Sequence, residues 1–317
     1  MICSPYPSFA EIEGRYVVMP ITMMLAVIAL TGNVLILTVI LKYEALRSQS
    51  AYRFIASLAS ADILVSLLAQ PLYVTVLKLG SNNSCLLKCV SHFVGTLSSS
   101  ASSLGILIVS IDRYYFITRP MHYHAIMTPF RVNIALGYIW ITSLFLSSMP
   151  YIVGMKSFHI IVFTATLASL VITTYCYYTI YRIVTHKVGD EIITAQNKSR
   201  RQHQATRTVA LVLLAMTVCW TPYIACSLVW ALDIQGWTEN AGIKSVYFWL
   251  LAIGHSNSAL NVLIYSWKNT ELRAAMKRFL GIGDAKREPM SSNMNEENMS
   301  NLKAQHASNL SIVESVV

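Results

Sequence analysis

Several residues stand where their chemistry is out of keeping with the apolar sequence around them. Asp62 interrupts the apolar run Tyr52–Leu79. A charged carboxylate there cannot face hydrocarbon, and an ionisable group inside a spanning segment is a functional hypothesis by default. Ten residues into its segment, it lies about 15 Å above the cytosolic end. Ser102, Asn257, Ser258 and Asn261 reach similar depth when counted along their own segments, as does Asn33. Carboxylate, hydroxyl and amide oxygens together suit a small cation or a water cluster. They would also serve as hydrogen-bond glue between helices, the better account of Asn33. Further on, Asp112-Arg113-Tyr114 sets an arginine beside its own carboxylate at the end of an apolar run. Such an arginine is neutralised while its helix neighbours are closed and is open to a partner when they part. An ordinary interfacial pair with a snorkelling arginine is the alternative. Cys219-Trp220-Thr221-Pro222 places an aromatic ring at a proline. Proline removes an intrahelical hydrogen bond and kinks the helix, so one half can swing as a lever. His92, His159 and His255 fall on three segments with one membrane carboxylate among them, which supplies neither a metal cluster nor a nucleophile with its base.

The elements that must position these groups are membrane helices. Of 317 residues, 55% are hydrophobic and 12% charged, against about 25% charged in soluble domains; mean hydropathy is +0.51. A spanning helix needs about 20 apolar residues, and seven stretches qualify: Tyr16–Leu41, Tyr52–Leu79, Leu86–Tyr115, Val132–Val153, Phe158–Val184, Ala205–Leu232 and Ile243–Trp267. After the seventh, Leu272, Met276 and Phe279 recur on one helical face beside Arg273, Lys277 and Arg278, the pattern of a helix lying on an anionic leaflet. The expected fold is an all-α membrane protein, a seven-transmembrane helix bundle with a short amphipathic eighth helix. Its parts are an extracellular N-terminus (1–15), the bundle (16–267), the surface helix (268–280) and a disordered cytoplasmic tail (281–317).

The net charge of +9 is spread too thinly for nucleic acid and reads instead as orientation. With the N-terminus outside, nineteen of the 24 basic residues fall on the cytosolic side, as the positive-inside rule requires. The plasma membrane is the expected location. Asn82 then heads a glycosylation sequon on an outer loop. A transporter would show internal repeats or several intramembrane charges, and an intramembrane hydrolase a clustered active site; both stand as alternative readings of such a bundle.

Taken in order, the motifs resemble class A (rhodopsin-like) G-protein-coupled receptors. They are Gly32-Asn33-Val34, Leu58-Ala59-Ser60-Ala61-Asp62, Asp112-Arg113-Tyr114, Trp140, Cys219-Trp220-Thr221-Pro222 and Asn261-Val262-Leu263-Ile264-Tyr265, each in its proper helix from Gly32 to Phe279. The resemblance implies no enzyme activity and coupling to a heterotrimeric G protein. Arg113 would engage the Gα C-terminal helix, Tyr177 and Tyr265 would stabilise the open state, and Pro120 and Met121 would dock into the G protein. Asp62, Ser102, Trp220, Asn257 and Asn261 match the family's pocket for an allosteric sodium ion. Arrestin and a receptor kinase are implied as well, with Ser291, Ser292, Ser300, Ser308 and Ser311 as kinase sites in the tail. Ser315-Val316-Val317 resembles the ligand of a PDZ domain.

The departures carry information. Val262 replaces the family's proline after Asn261, and span five has Ser169 where a proline is usual. Gln202 stands where a glutamate often pairs with Arg113, which predicts ligand-independent signalling. Cys85 and Cys89 lie at the top of span three, where the family anchors a disulfide to the second extracellular loop, but Tyr151–Phe158 contains no cysteine. Cys3 would pair with one of them in the oxidising exterior, or the two with each other.

Within the class, the short second loop and Tyr123-His124-Ala125-Ile126-Met127-Thr128 look like melanocortin receptors, while His255-Ser256-Asn257-Ser258-Ala259 looks like adenosine receptors. The positions that would attract a cationic peptide are Leu72, Lys88 and His92, and the amine-binding aspartate is Gly95. By family position the ligand pocket is His92, Gly95, Thr96, Ser99, Trp220, Tyr223, Ser227 and His255. That lining, with Lys88 and Lys156 near its mouth, favours a neutral or anionic small molecule or lipid.

Overall fold

The structure, a computed structural model, describes residues 15–79, 84–187, 215, 217–226, 228–229, 232 and 241–282. Expectations for Cys3, Asn82, Gln202, Ser227 and the tail serines lie outside the described residues, as does the C-terminal Ser315-Val316-Val317.

The helices are longer than the apolar runs that announce them. α1 spans Arg15–Lys42, α2 Ser50–Leu79, α3 Cys85–Thr118, α4 Pro129–Val153, α5 Met155–Lys187 and α7 Ala241–Lys268. The described part of α6 is helical over 217–226, and α8 spans Thr270–Phe279. The extra residues come from polar caps. Ser84 Oγ accepts from Leu87 N–H at 3.2 Å, Thr128 Oγ1 from Arg131 N–H at 3.4 Å and Asn269 Oδ1 from Leu272 N–H at 3.0 Å. Each satisfies one orphan donor of a first turn.

Five of these helices, α1 to α5, are long and apolar enough to cross a membrane. α7 has the length, 28 residues or about 42 Å, but carries His255, Asn257, Ser258 and Asn261, all buried. The soluble pattern is thus inverted. Met24, Ile141, Phe145 and Val171 face outward, while Asn33, Asp62, Ser98, Ser102 and Asn261 face in, as a lipid solvent demands. α3, at 34 residues or about 51 Å, is longer than the roughly 30 Å hydrocarbon thickness. It packs against α2, α4 and α5, whereas α1 packs against α2, α7 and α8.

Two local features re-aim the polar groups. α2 widens to a π-helical turn over Val65–Ala69, just before Pro71, which has no N–H for the preceding turn. One extra residue in a turn rotates the rest of the helix by about 100°, and Tyr73 and Val76 thereby face the interior cavity while Asp62 stays in the core. The α4–α5 connection is shorter still than its sequence suggests. Gly154 alone joins the two helices, at φ +82°, a conformation glycine adopts without penalty.

Val262 sits where α1 and α7 approach most closely. A Cβ at Gly32 would lie 2.2 Å from Val262 Cγ1 and 3.0 Å from its Cβ. One residue on, Asn33 Nδ2 donates to the Ser258 carbonyl at 3.3 Å, the interhelical tie expected of it. Gly32→Ala should therefore lower the unfolding midpoint. Overpacking against a stiff valine outweighs alanine's helix preference by about 1–2 kcal/mol. Val262→Ala in the same chain should restore most of that loss; an unchanged midpoint for the single variant would contradict the packing.

α8 differs in one respect from a helix simply floating on lipid. Leu272 and Ala275 are buried in the core cluster containing Ile36, Val39 and Tyr52, with Met276 and Phe279 packed beside it. The apolar face is therefore shared with the bundle. Tyr52 ties the junction, its hydroxyl donating to Glu271 Oε2 at 2.9 Å, and Lys42 Nζ lies 4.7 Å above the Phe279 ring. Arg273, Lys277 and Arg278 remain outside.

Candidate functional site

A layer of interior polar groups centres on Asp62, which has no exposed surface. Its Oδ1 accepts from Ser258 Oγ at 2.9 Å and from Ser102 Oγ at 3.4 Å; its Oδ2 accepts from Asn261 Nδ2 at 2.9 Å. One side chain thus draws α2, α3 and α7 together. The side-chain carbonyl oxygens of Asn257 and Asn261 are buried without a partner. Two orphaned amide oxygens beside a carboxylate make a hard-oxygen donor set of the kind that takes a small cation.

Above that layer is a cavity of about 210 Å³. It brings together His92, Gly95, Thr96, Ser99, Trp220, Tyr223 and His255 from α3, α6 and α7. His159 and Phe158 add the wall from α5, which sequence reasoning left out of the pocket. Alternation along a helix marks His159 as inward-facing only once the one-residue α4–α5 junction fixes the helix phase. Trp220 forms the floor. Its ring stands edge-on to Tyr223 at 5.7 Å and to His255 at 6.1 Å between centroids, and it lies on Gly254, where a Cβ would come within 3.0 Å of the indole. Pro222 lies two residues further along the same helical stretch. Gly95 leaves its part of the wall open, since a Cβ there meets nothing within 4 Å.

At the C-terminal end of α3, Arg113 is closed onto its neighbour. Its Nη2 lies 2.7 Å from Asp112 Oδ2 and its Nε donates to the same oxygen at 3.1 Å. The other carboxylate oxygen lies 2.8 Å from the Tyr123 hydroxyl and 2.9 Å from the Ser50 hydroxyl, and those two hydroxyls also touch, so two protons are shared over three contacts. Neither residue was legible as a partner, because serines and tyrosines are common and these come from the start of α2 and from the turn after α3. Burial, and then the Asp112 carboxylate, push the Tyr123 phenol up to about 12, so it remains a donor at physiological pH.

The remaining expected residues fall around this floor. Tyr177 packs on the Phe54, Val109 and Val132 cluster, and Tyr265 is buried in the cluster between α1, α2 and α7. Tyr114 stacks near Tyr175 at 6.3 Å. Pro120 opens a 3-10 turn on which Met121 stands 92% exposed. Trp140 donates to Ser57 Oγ at 3.1 Å. One expectation is corrected: Cys85 and Cys89 do not pair with each other, since Cys85 is disulfide-bonded and Cys89 is a free thiol. Lys88, expected near the cavity mouth, is buried.

Comparison with known proteins agrees with this architecture. The sequence model of the 7 transmembrane receptor (rhodopsin family) matches residues 32–160 and 155–265. The histamine H2 receptor of Rattus norvegicus is 27% identical over 282 residues, covering 80% of this chain and 76% of that receptor. The human (Homo sapiens) histamine H2 receptor is 28% identical over 294 residues, 81% of this chain and 78% of its own. The octopamine receptor beta-1R of Drosophila melanogaster is 28% identical over 304 residues, covering 80% of this chain. The chain spans only 59% of that octopamine receptor's length. These relatives are named for amines, not for melanocortin or adenosine, and the similarity covers about four-fifths of the chain. The two short motifs that suggested the melanocortin and adenosine subgroup are therefore local likenesses only.

Proposed function

The chain belongs to the rhodopsin family of seven-transmembrane receptors, and we propose that a small molecule in the cavity above Trp220 makes it release Arg113 to a heterotrimeric G protein. It is a G-protein-coupled receptor and a multi-pass membrane protein. The observation that carries the mechanism is the separation of two closed ends. A cavity opens above Trp220, while Arg113 at the far end of α3 is bonded to Asp112 at 2.7 Å. Trp220 and Pro222 lie between them on α6, where a ligand pressing on the ring would act through the kink on the cytosolic half. Arg113, once freed, would meet the Gα helix, with Pro120 and Met121 as the adjoining contact.

The clamp on Arg113 is short of one partner, since Gln202 supplies no carboxylate. Basal signalling should therefore exceed that of cells without the receptor; equal second-messenger levels at measured surface density would count against it. Tyr123→Phe removes one donor from Asp112 and should raise the basal level further. The bond is worth about 1 kcal/mol, or about fivefold. A level unchanged at matched surface density would deny Tyr123 that role.

For the ligand, the cavity argues against the amines for which the relatives are named. An ammonium needs a carboxylate, and among the described lining residues there is no Asp or Glu. A neutral small molecule or lipid suits that wall better. The Asp62 layer suits sodium as an allosteric ion, with the Asn257 and Asn261 oxygens completing its ligands. The N-terminus would face outward at the plasma membrane, with Asn82 glycosylated, and the tail serines would serve a receptor kinase and arrestin.

A further inference from the structure

The hydrogen-bonding groups of the cavity are unevenly committed, and the imbalance narrows the ligand. Among the described lining residues there is no Asp, Glu, Lys or Arg, so hydroxyls and imidazoles must do the recognising. Most of the hydroxyls are used within the protein. Ser100 donates to the Thr96 carbonyl at 2.6 Å, Ser103 to the Ser99 carbonyl at 2.8 Å and Tyr73 to the Phe248 carbonyl at 2.7 Å. Tyr223 and Tyr247 bond each other at 2.8 Å. Among the atoms left over, Ser99 Oγ and His255 Nδ1 are buried with no hydrogen-bond partner. Burying a donor or acceptor unpaired is costly, so a group kept in that state is expected to find its partner elsewhere.

Their positions match in depth. Ser99 precedes Ser102 by three residues on α3, and His255 precedes Ser258 by three on α7. Ser102 and Ser258 both donate to Asp62 Oδ1. Ser99 and His255 therefore lie about 4.5 Å of helix rise above that shared anchor, at one level on two helices and beside the Trp220 floor.

We propose that the ligand is an uncharged, hydroxyl-bearing small molecule whose polar end is held by Ser99 of α3 and His255 of α7. This rests on the cavity being the ligand site of the receptor. A hydroxyl both donates and accepts, so it can satisfy a serine and an imidazole nitrogen in either ring tautomer. An ammonium only donates and a carboxylate only accepts, and each would be stripped of water with no opposite charge among the described lining residues. The body of the molecule would lie against Trp220, Phe248 and Leu251, which make the neighbouring wall apolar. The proposal excludes the anionic ligand that the sequence alone left open.

Thiol-reactive probes test the site without knowledge of the natural ligand. Full-length receptor carrying Ser99→Cys would be treated with hydroxyethyl, ethyl, aminoethyl and sulfonatoethyl methanethiosulfonates. Rates would be normalised to a free thiol in solution, with wild type setting the background from its own cysteines. The hydroxyethyl reagent should react about tenfold faster than either charged one and about fivefold faster than the ethyl one. Adding His255→Phe should abolish the hydroxyethyl-over-ethyl preference. The proposal is overturned if a charged reagent keeps pace, if that preference survives His255→Phe, or if no reagent reaches position 99. Nucleotide exchange by wild type on purified G protein, measured alongside, reports separately on the receptor reading. Exchange without the rate preference would overturn only the ligand class.

Discussion

Gly95→Asp is expected to make the receptor respond to octopamine or histamine at concentrations where wild type is silent. The wall at Gly95 is open, with nothing within 4 Å of an added Cβ, so the carboxylate enters without repacking. It enters a cavity that offers an ammonium no other counter-charge among the described lining residues. A desolvated, hydrogen-bonded charge pair contributes about 2–5 kcal/mol, roughly thirtyfold to a few thousandfold in affinity. In the absence of amine the new charge is buried unpaired and should lower the unfolding midpoint; amine should restore it. Dose-response curves for second messenger together with thermal unfolding would read both effects. A wild-type receptor already sensitive to these amines, or a variant indifferent to them, would refute the charge argument.

Asp62→Asn should abolish a sodium-dependent gain in stability while leaving the fold intact. The asparagine keeps one oxygen for Ser102 and Ser258, but its new N–H2 would face the Asn261 N–H2. Asn261 can answer by turning its amide over, because its own oxygen has no partner. What is lost is the one carboxylate charge of that polar layer. Replacing choline by sodium at constant ionic strength should raise the unfolding midpoint of wild type but not of the variant. The difference approaches about 2.7 kcal/mol at a hundred times the dissociation constant. A sodium effect that persists in Asp62→Asn would place the ion elsewhere.

What the sequence reveals and what it conceals divide along physical lines. Asp62, Arg113 and the Asn257–Asn261 pair stand out because charge and amide groups are costly in hydrocarbon, so their presence alone signals purpose. The helices are legible for the same reason, though their ends are set by caps such as Ser84 and Thr128. Partnerships built from common residues leave no such mark. Ser50 and Tyr123 reach Asp112 from segments 62 and 11 residues away, and no local pattern singles them out. The notch of Gly32 on Val262 is visible only once α1 and α7 lie side by side. The same is true of the π turn at Val65–Ala69, whose cause, Pro71, is plain but whose consequence for the facing of Tyr73 is not. The subgroup likenesses misled because stretches of five or six residues repeat across a family more readily than whole alignments do.

The most direct test of the account is nucleotide exchange on purified heterotrimeric G proteins by full-length receptor in lipid nanodiscs, comparing wild type with Arg113→Ala. Asp112 retains its bonds from Ser50 and Tyr123 in the variant, so the fold should hold. Wild type should accelerate exchange on at least one class of heterotrimer without added ligand, and the variant should fall to the rate of G protein alone. Equal exchange by the two proteins would contradict the account, as would a wild type that accelerates none.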